Sequence, residues 1–301
     1  MVFTRIVTAI ATIWLATTIA FVFLRVLPGD PVSAQAGEAG VTSSQVQRQR
    51  ELLGLDQPVW VQYANYWLGI TNGDWGTSLY TGLPVTIMLA QQALPTIQLA
   101  TTSIIIATIF GFSMGYVAAL ANTAFLRRTA TLLIDLSLAI PIYWTGTLVV
   151  FLVAYMVDDL RSQLWIPAMV LGFHVSSSLA RIVYTQLQDA VQQPYVVVAH
   201  ARGLQPTVIR QRYILRPILV TILPAVVLQF GYLLSGTVIT ETIFQRTGIG
   251  TVLLRATLQQ DYPVVQGVVF AMAIIYVILT TIANVLATLL DPRLRLNQQH
   301  A

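Results

Sequence analysis

Uninterrupted apolar runs of about twenty residues leave this chain few folds to choose from. Crossing roughly 30 Å of hydrocarbon takes about 20 apolar residues in a helix, and six runs reach that length: about Ile6 to Leu27, Ile97 to Ala121, Leu132 to Val157, Leu164 to Val183, Ile218 to Thr240 and Val264 to Leu290. Inside a bilayer only helices and closed barrels satisfy their own backbone, and runs this long without period-two alternation are helices. Only 9% of the 301 residues are charged, against about 25% in soluble domains. The expected class is therefore an all-α integral membrane protein with six transmembrane helices.

Composition removes several chemistries. Cysteine is absent, so disulfides and thiolate metal sites play no part. The net charge of +4 is carried by arginine, because the sequence contains no lysine. A phosphate-loop lysine and a Schiff-base lysine are excluded with it. His174, His200 and His300 are the only histidines and have no metal-ligand spacing. The expected surroundings are membrane lipid, with no nucleic acid.

Charge placement sets the orientation. Arg127, Arg128, Arg181, Arg202, Arg210, Arg212, Arg216, Arg293 and Arg295 gather on one side of the six runs, opposed there only by Asp189 and Asp291. Asp30, Glu38, Glu51, Asp56, Asp74, Asp158, Asp159, Glu241 and Asp261 gather on the other. The positive-inside rule then puts both termini in the cytoplasm. The first run is long for a signal-peptide core and ends Arg25-Val26-Leu27-Pro28 without a small-residue cleavage pattern, so it reads as a retained helix. The expected layout is a first helix over 1–27, an external segment over 28–96, a core of five helices over 97–290 and a cytoplasmic tail over 291–301.

Two connections carry information. In the outer segment Ser44-Gln45-Val46-Gln47 fits a capping box, Gln45 to Leu53 can wind as a helix, and Gly54 is placed to end it. Trp60, Tyr63, Tyr66, Trp67 and Trp75 follow, a composition suited to the membrane interface. In the cytoplasmic connection, Pro194 suits a first helical turn and Gly203 a terminus. The small and apolar stretch from Tyr195 to Leu204 thus reads as a short helix along the membrane surface that another protein can approach closely; a basic loop that binds only lipid headgroups is the alternative on composition alone.

At this point the residues resemble a known family. Ala199-x-Ala201-x-Gly203-Leu204, preceded by Tyr195 and followed by Arg212 to Leu219, is similar to the EAA loop of binding-protein-dependent ABC importer permeases. More narrowly, the chain resembles the dipeptide/oligopeptide/nickel permease family, its DppB/OppB-like subunit. The marks are Leu27-Pro28-Gly29-Asp30-Pro31, Leu53-Gly54-Leu55-Asp56-Gln57-Pro58, Gly73-Asp74-Trp75-Gly76 with Ser78, and Leu94-Pro95-Thr96. Glu241-Thr242-Ile243-Phe244, Gly248-Ile249-Gly250, Asp261-Tyr262-Pro263-Val264-Val265-Gln266-Gly267 and Asp291-Pro292-Arg293 continue them in order. Val197 stands at the acidic position of the general pattern, Pro217 replaces a small polar residue, and the outer loop from Asp158 to Gln163 is short.

The resemblance implies a type I ABC importer-like permease bundle, one transmembrane half of a conduit for di- or oligopeptides, with nickel or a metal chelate as the alternative cargo. It implies a second DppC/OppC-like permease, two cytoplasmic ATPase subunits that hold ATP and Mg, and an external substrate-binding protein. No cofactor is expected on this chain. Its EAA-type loop over 184–217 contains the expected coupling helix: Val197, Val198, Ala199, His200, Ala201, Arg202, Gly203 and Leu204. The fifth and third spans are expected to rock with it. Gly231, Ser235 and Gly236 are candidates for the pathway, with close helix packing as the commoner reason for small residues there, and Glu241, Arg246 and Asp261, with Arg255, are candidates for an external gate or binding-protein docking.

Individual polar residues within the runs admit simple readings. Asp135 suits an ion pair at a helix end, Pro141 should kink the third span, and Ser176, Ser177 and Ser178 suit backbonding to their own helix beside His174. Two rival classes fare worse. An autonomous secondary transporter usually carries acidic residues at the midplane, a role only Asp135 approaches. A serine hydrolase using His174 lacks a recognisable orienting acid.

Overall fold

The computed structural model describes residues 2–26, 47, 50–51, 54–156 and 163–290. Among the described residues no strand forms, and one isolated bridge pairs Thr77 with Pro84. The helices are α1 (Val2–Val26), α2 (Val59–Thr71), α3 (Val85–Leu120), α4 (Ala124–Ala139), α5 (Ile142–Met156), α6 (Trp165–Val191), α7 (Pro194–Ala201), α8 (Arg216–Ile243), α9 (Ile249–Leu258) and α10 (Tyr262–Leu290). Five stretches are individually long and apolar enough to cross a membrane: Thr4–Val26, Val85–Leu120, Trp165–Val191, Pro206–Ile243 and Tyr262–Leu290.

The third expected span is the correction. Instead of one kinked helix, α4 and α5 form a pair bent by 98° that reaches span length only when taken together. The cause is local. Ile140 precedes proline and is extended, at φ −87° and ψ 126°, the conformation a following proline ring imposes. The second span also differs, beginning at Val85 rather than near Ile97. Leu94-Pro95-Thr96 lies inside it, so the end of the external segment is helical. The Leu27 to Pro31 marks, the Ser44 to Val46 part of the capping box, Leu53, Asp158 to Ser162 of the short loop and the Asp291-Pro292-Arg293 tail lie outside the described residues.

Gly54 does end a helical turn. At φ +65° it sends its N–H to Glu51 O (3.1 Å), and Leu55 N reaches Arg50 O (3.0 Å), the paired bonds of a Schellman cap. Gly73 closes α2 in the same way, through Ile70 O and Gly69 O.

The chain divides into two compact units. One comprises Met1–Pro95 with Thr247–Val277. Its core joins Leu24, Val85, Leu89, Ile249, Val264, Val265 and Val268, with Trp75 packed against it. Gly267 lies against the Val85 side chain, where any Cβ would collide. The other comprises Thr96–Arg246 with Ile278–Ala301. Lipid tails are as apolar as leucine, so helices associate there by close packing. α3 and α6 do so through Gly111 and Gly115, whose added Cβ atoms would fall 2.7 Å from Ser176 O and 2.5 Å from Ala180 O. Gly172 returns the approach from α6, 2.9 Å from Ser103 O by the same measure.

Candidate functional site

The expected short helix forms over Pro194–Ala201, with Pro194 in its first turn after the extended Gln193. It has a buried side and an open one. Val196 is 2% exposed and Ala199 is buried; both join a cluster with Leu187 of α6, Ile209, Ile214 and Ile218. Burying a valine is worth about 1.5–3 kcal/mol and an alanine methyl about 0.8 kcal/mol, which seats the helix on the cluster. Tyr195, Val197 (62% exposed), Val198, His200, Ala201 and Arg202 face outward. His200 Nδ1 lies 2.9 Å from Val196 O.

Gly203 takes φ +72°. Its N–H bonds His200 O (2.9 Å) while Leu204 N bonds Ala199 O (3.3 Å), another Schellman closure. Nothing lies within 4 Å of a Cβ built on Gly203, so backbone conformation rather than space calls for glycine there. Leu204 is half-buried against the same cluster.

Beyond it, Pro206–Val208 is one helical turn and Ile209–Leu215 is wound as a π-helix leading into α8. Pro217 follows at once. A proline ring clashes with the carbonyl four residues back and offers no N–H, and the wider π turn relieves that conflict. Position 217 is thus tolerated through a local change of winding. The cluster under α7 also takes Ala119 of α3, Val183 and Ala190 of α6, and Ile222 of α8. Among the described residues neither α4 nor α5 contributes to it, so the cluster ties α7 to the fifth, fourth and second spans, while the third span meets the fifth elsewhere, at Gly146 against Ile243.

Other sequence-selected residues fall into place. Asp135 pairs with Arg181 at 3.3 Å, both well exposed, beside a cavity of about 750 Å³ whose lining includes Arg127, Arg128 and Gln188. Such an exposed pair is worth about 0–1 kcal/mol. Ser176 and Ser177 bond back to Phe173 O (2.6 Å) and His174 O (2.8 Å), as backbonding serines do. His174 meets Ser137 O at 3.0 Å and Thr145 Oγ1 at 2.6 Å. Neither ring nitrogen meets a serine hydroxyl, and the hydrolase reading has no geometric support.

Along α8, Gly231 packs on Leu279 and Gly236 faces Leu171. Ser235 lies on an open face with Tyr232 and Ile239, its Oγ bonded to Tyr232 O at 2.8 Å. Gly231 and Ser235, four residues apart, neighbour one another along the helix, while Gly236 turns toward α6.

Glu241 is 1% exposed and accepts from Thr96 Oγ1 at 2.6 Å. Asp261 is 3% exposed; Ser78 Oγ donates to its Oδ2 at 2.6 Å and Leu79 N to its Oδ1 at 3.2 Å. Neither carboxylate is displayed to a docking protein. Arg246 N closes on Glu241 O at 2.8 Å through Gln245 at φ 53°, and Arg255 lies exposed on α9. Sequence reasoning missed Thr96 and Ser78 as partners, since hydroxyls so distant in sequence leave no local signal. The Gly111-x-x-x-Gly115 spacing within an apolar run was the available signal for the α3–α6 approach.

A family model described as the binding-protein-dependent transport system inner membrane component matches residues 107–296. A second, describing the N-terminal part of such components, matches residues 1–82. The probable peptide ABC transporter permease protein y4tP of Sinorhizobium fredii is 29% identical, covering 97% of each chain. The glutathione transport system permease protein GsiC of Salmonella choleraesuis is 30% identical over the same share of each chain. Among solved structures, the MetNI methionine ABC transporter in inward facing conformations superposes with a TM-score of 0.56 at 15% identity, covering 68% of this chain and 96% of that one. An amino acid ABC transporter crystallised with histidines gives 0.55 at 17%, covering 69% and 94%. These structures establish the type I importer permease fold. With the family model spanning most of the helical core, the chain belongs to the binding-protein-dependent transport system inner membrane components, as a multi-pass permease subunit.

Proposed function

We propose that this permease carries peptides, and that α7 is the element through which partner ATPase subunits drive it. The observation that carries the coupling assignment is the two-sidedness of α7: Val196 and Ala199 lock it to the cluster, while Val197 and Val198 remain bare beside His200 and Arg202. Exposed branched apolar side chains on a firmly backed helix suit a protein cleft. ATP and Mg would sit on the partners, because the sequence offers no phosphate loop. The bare face would lie in the cytoplasm together with both termini, in keeping with the arginine distribution. A second permease subunit and an external binding protein complete the assembly.

Closure of the ATPase pair would displace α7, and the shared cluster would carry that motion into α6 and α8. At the external ends, Glu241, Arg246 and Asp261 would act as anchors of moving helix ends rather than as displayed charges. Peptide cargo is supported by the relatives named for peptide and for glutathione, itself a tripeptide. Nickel finds no support among those relatives.

The sequence contains no native cysteine, so one introduced at Val197 is a unique reporter. In the assembled complex it should cross-link to an ATPase subunit, and the cross-link should stop peptide uptake into vesicles. Efficient cross-linking with uptake intact would overturn the coupling role. Uptake of nickel but not peptide would overturn the cargo.

A further inference from the structure

A cavity of about 240 Å³ opens within the first unit, its wall including Arg25 at the end of α1, Tyr66 of α2, Asp74, and Tyr262 and Gln266 of α10. It holds several times the space of one water. Its polar groups divide into satisfied and unsatisfied ones. The Gln62 amide is engaged: its Oε1 accepts from Arg25 Nε at 3.0 Å and its Nε2 donates to Gln57 O at 2.8 Å. Asn65 Nδ2 donates to Gln57 Oε1 at 3.4 Å.

Tyr66 Oη and Gln266 Nε2, by contrast, are buried and find no partner among the described residues. Gln266 is only 6% exposed. A buried donor left unmade costs about 1–3 kcal/mol, so two of them on one cavity wall point to an acceptor that belongs there. Arg25 supplies an independent sign. Half-buried, its guanidinium rests 3.4 Å from the Phe21 ring centroid and bonds the neutral Gln62 and Phe21 O. Among the described residues no carboxylate is its partner, and a desolvated cation calls for a counter-charge. The wall's own carboxylate, Asp74, is turned toward Gly76 N at 2.9 Å on one oxygen.

We propose that this cavity binds a small zwitterion, its anionic oxygens held by Arg25, Tyr66 and Gln266 and its ammonium by Asp74, with an aminophospholipid headgroup as the source. The surroundings favour lipid over free solute. α1 exposes Phe23 and Val26, and α2 exposes Trp60 and Leu68, apolar and aromatic side chains suited to the bilayer interface. An anionic phosphate matches the planar guanidinium fork, and the two unmade donors supply the remaining contacts.

The test uses the full chain, purified with the subunits that accompany it and stripped of lipid, its unfolding followed by tryptophan fluorescence. Phosphatidylethanolamine should raise the midpoint by about 3 °C or more, and phosphatidylglycerol by clearly less. Tyr66→Phe and Gln266→Met should each be at least as stable as the parent without lipid, because each removes an unmade buried donor. Their response to phosphatidylethanolamine should fall at least threefold. Asp74→Asn should lower the response to phosphatidylethanolamine alone. Equal response to both lipids, or full response in the Tyr66 and Gln266 variants, would overturn the site. A response to diglycine but not to phosphatidylethanolamine, lost in the same variants, would overturn the lipid source and make this a solute site.

Discussion

His174 of α6 lies with Nδ1 3.0 Å from the carbonyl oxygen of Ser137 in α4, and that carbonyl is the one whose helical donor would be residue 141. Residue 141 is proline and has no N–H. A carbonyl can only accept, so Nδ1 carries the proton and replaces the missing bond. Beyond the break, Thr145 Oγ1 meets Nε2 at 2.6 Å, and Ser137 Oγ donates to Phe173 O at 2.9 Å. One imidazole therefore ties both limbs of the 98° bend to α6.

From this follows the first prediction. His174→Ala should cost about 1–3 kcal/mol, the range for orphaning a buried carbonyl, read as a lower unfolding midpoint of the purified complex. The bend should also loosen. Spin labels at the exposed Leu132 and Phe151 should report a broader distance distribution in the variant, whereas an unchanged distribution would mean that packing alone sets the angle. Thr145→Val should have a smaller effect, because the bond to Ser137 survives.

Backbone strain gives a second prediction in two opposite directions. Gly203 and Gln245 both occupy the left-handed region, at φ +72° and 53°, and both close Schellman caps. Left-handed backbone costs a non-glycine residue about 1–2 kcal/mol. Gly203→Ala should therefore destabilise by about 1 kcal/mol with no steric clash, since the space beside it is open. Gln245→Gly should stabilise by about 0.5–1 kcal/mol. Thermal midpoints of the two variants moving in the same direction would sink this account. It also means that a bulky residue at Gly203 tests strain together with coupling, so the bare valines are the better probes.

The third prediction concerns the buried carboxylate of Asp261. Ser78→Ala removes its 2.6 Å donor and should cost about 1.5–3 kcal/mol, the range for hydrogen bonds to charged groups. Asp261→Asn keeps one acceptor oxygen, enough for Leu79 N or for Ser78 Oγ but not for both, and should cost a similar amount. Charge reversal at Asp261 should lower the yield of folded protein before it alters any affinity for a binding protein. Folded, monodisperse Asp261→Lys with weakened docking would restore the surface role for this residue.

What sequence reading captured depended on whether the physics is local. Runs of apolar residues gave the spans, Pro194 and Gly203 framed α7, and Gly54 closed its turn, because each rests on contacts within a few residues. The bend at Pro141 was legible in position but not in size. The extended Ile140 and the His174 tie turn a kink into a break, and the tie joins residues 37 apart. The carboxylates at 241 and 261 read as surface charges, because outer segments are polar on average. Their burial depends on hydroxyls 145 and 183 residues away, which no periodicity can announce. The start of α3 at Val85 was hidden by Pro95, which a helix interior tolerates when neighbouring groups satisfy the freed carbonyl.

The last prediction separates the two faces of α7. Val197 and Val198 are exposed while Val196, their neighbour, is 2% exposed and part of the cluster. A glutamate pair at 197 and 198 meets solvent, so stability should change by no more than about 0.5 kcal/mol. If α7 seats in an ATPase cleft, two buried carboxylates there would lack partners. Each uncompensated charge in an interface costs several kcal/mol, so peptide-stimulated ATP hydrolysis by the assembled complex should fall at least tenfold. Val196→Glu should instead prevent stable folding, because its carboxylate would enter the cluster with Leu187 and Ile209. Assembly measured by co-purification distinguishes the outcomes: the surface variant keeps its fold and loses partner contact, while the buried variant loses both. Retention of full stimulated hydrolysis in the 197 and 198 variant would show that force enters the permease elsewhere.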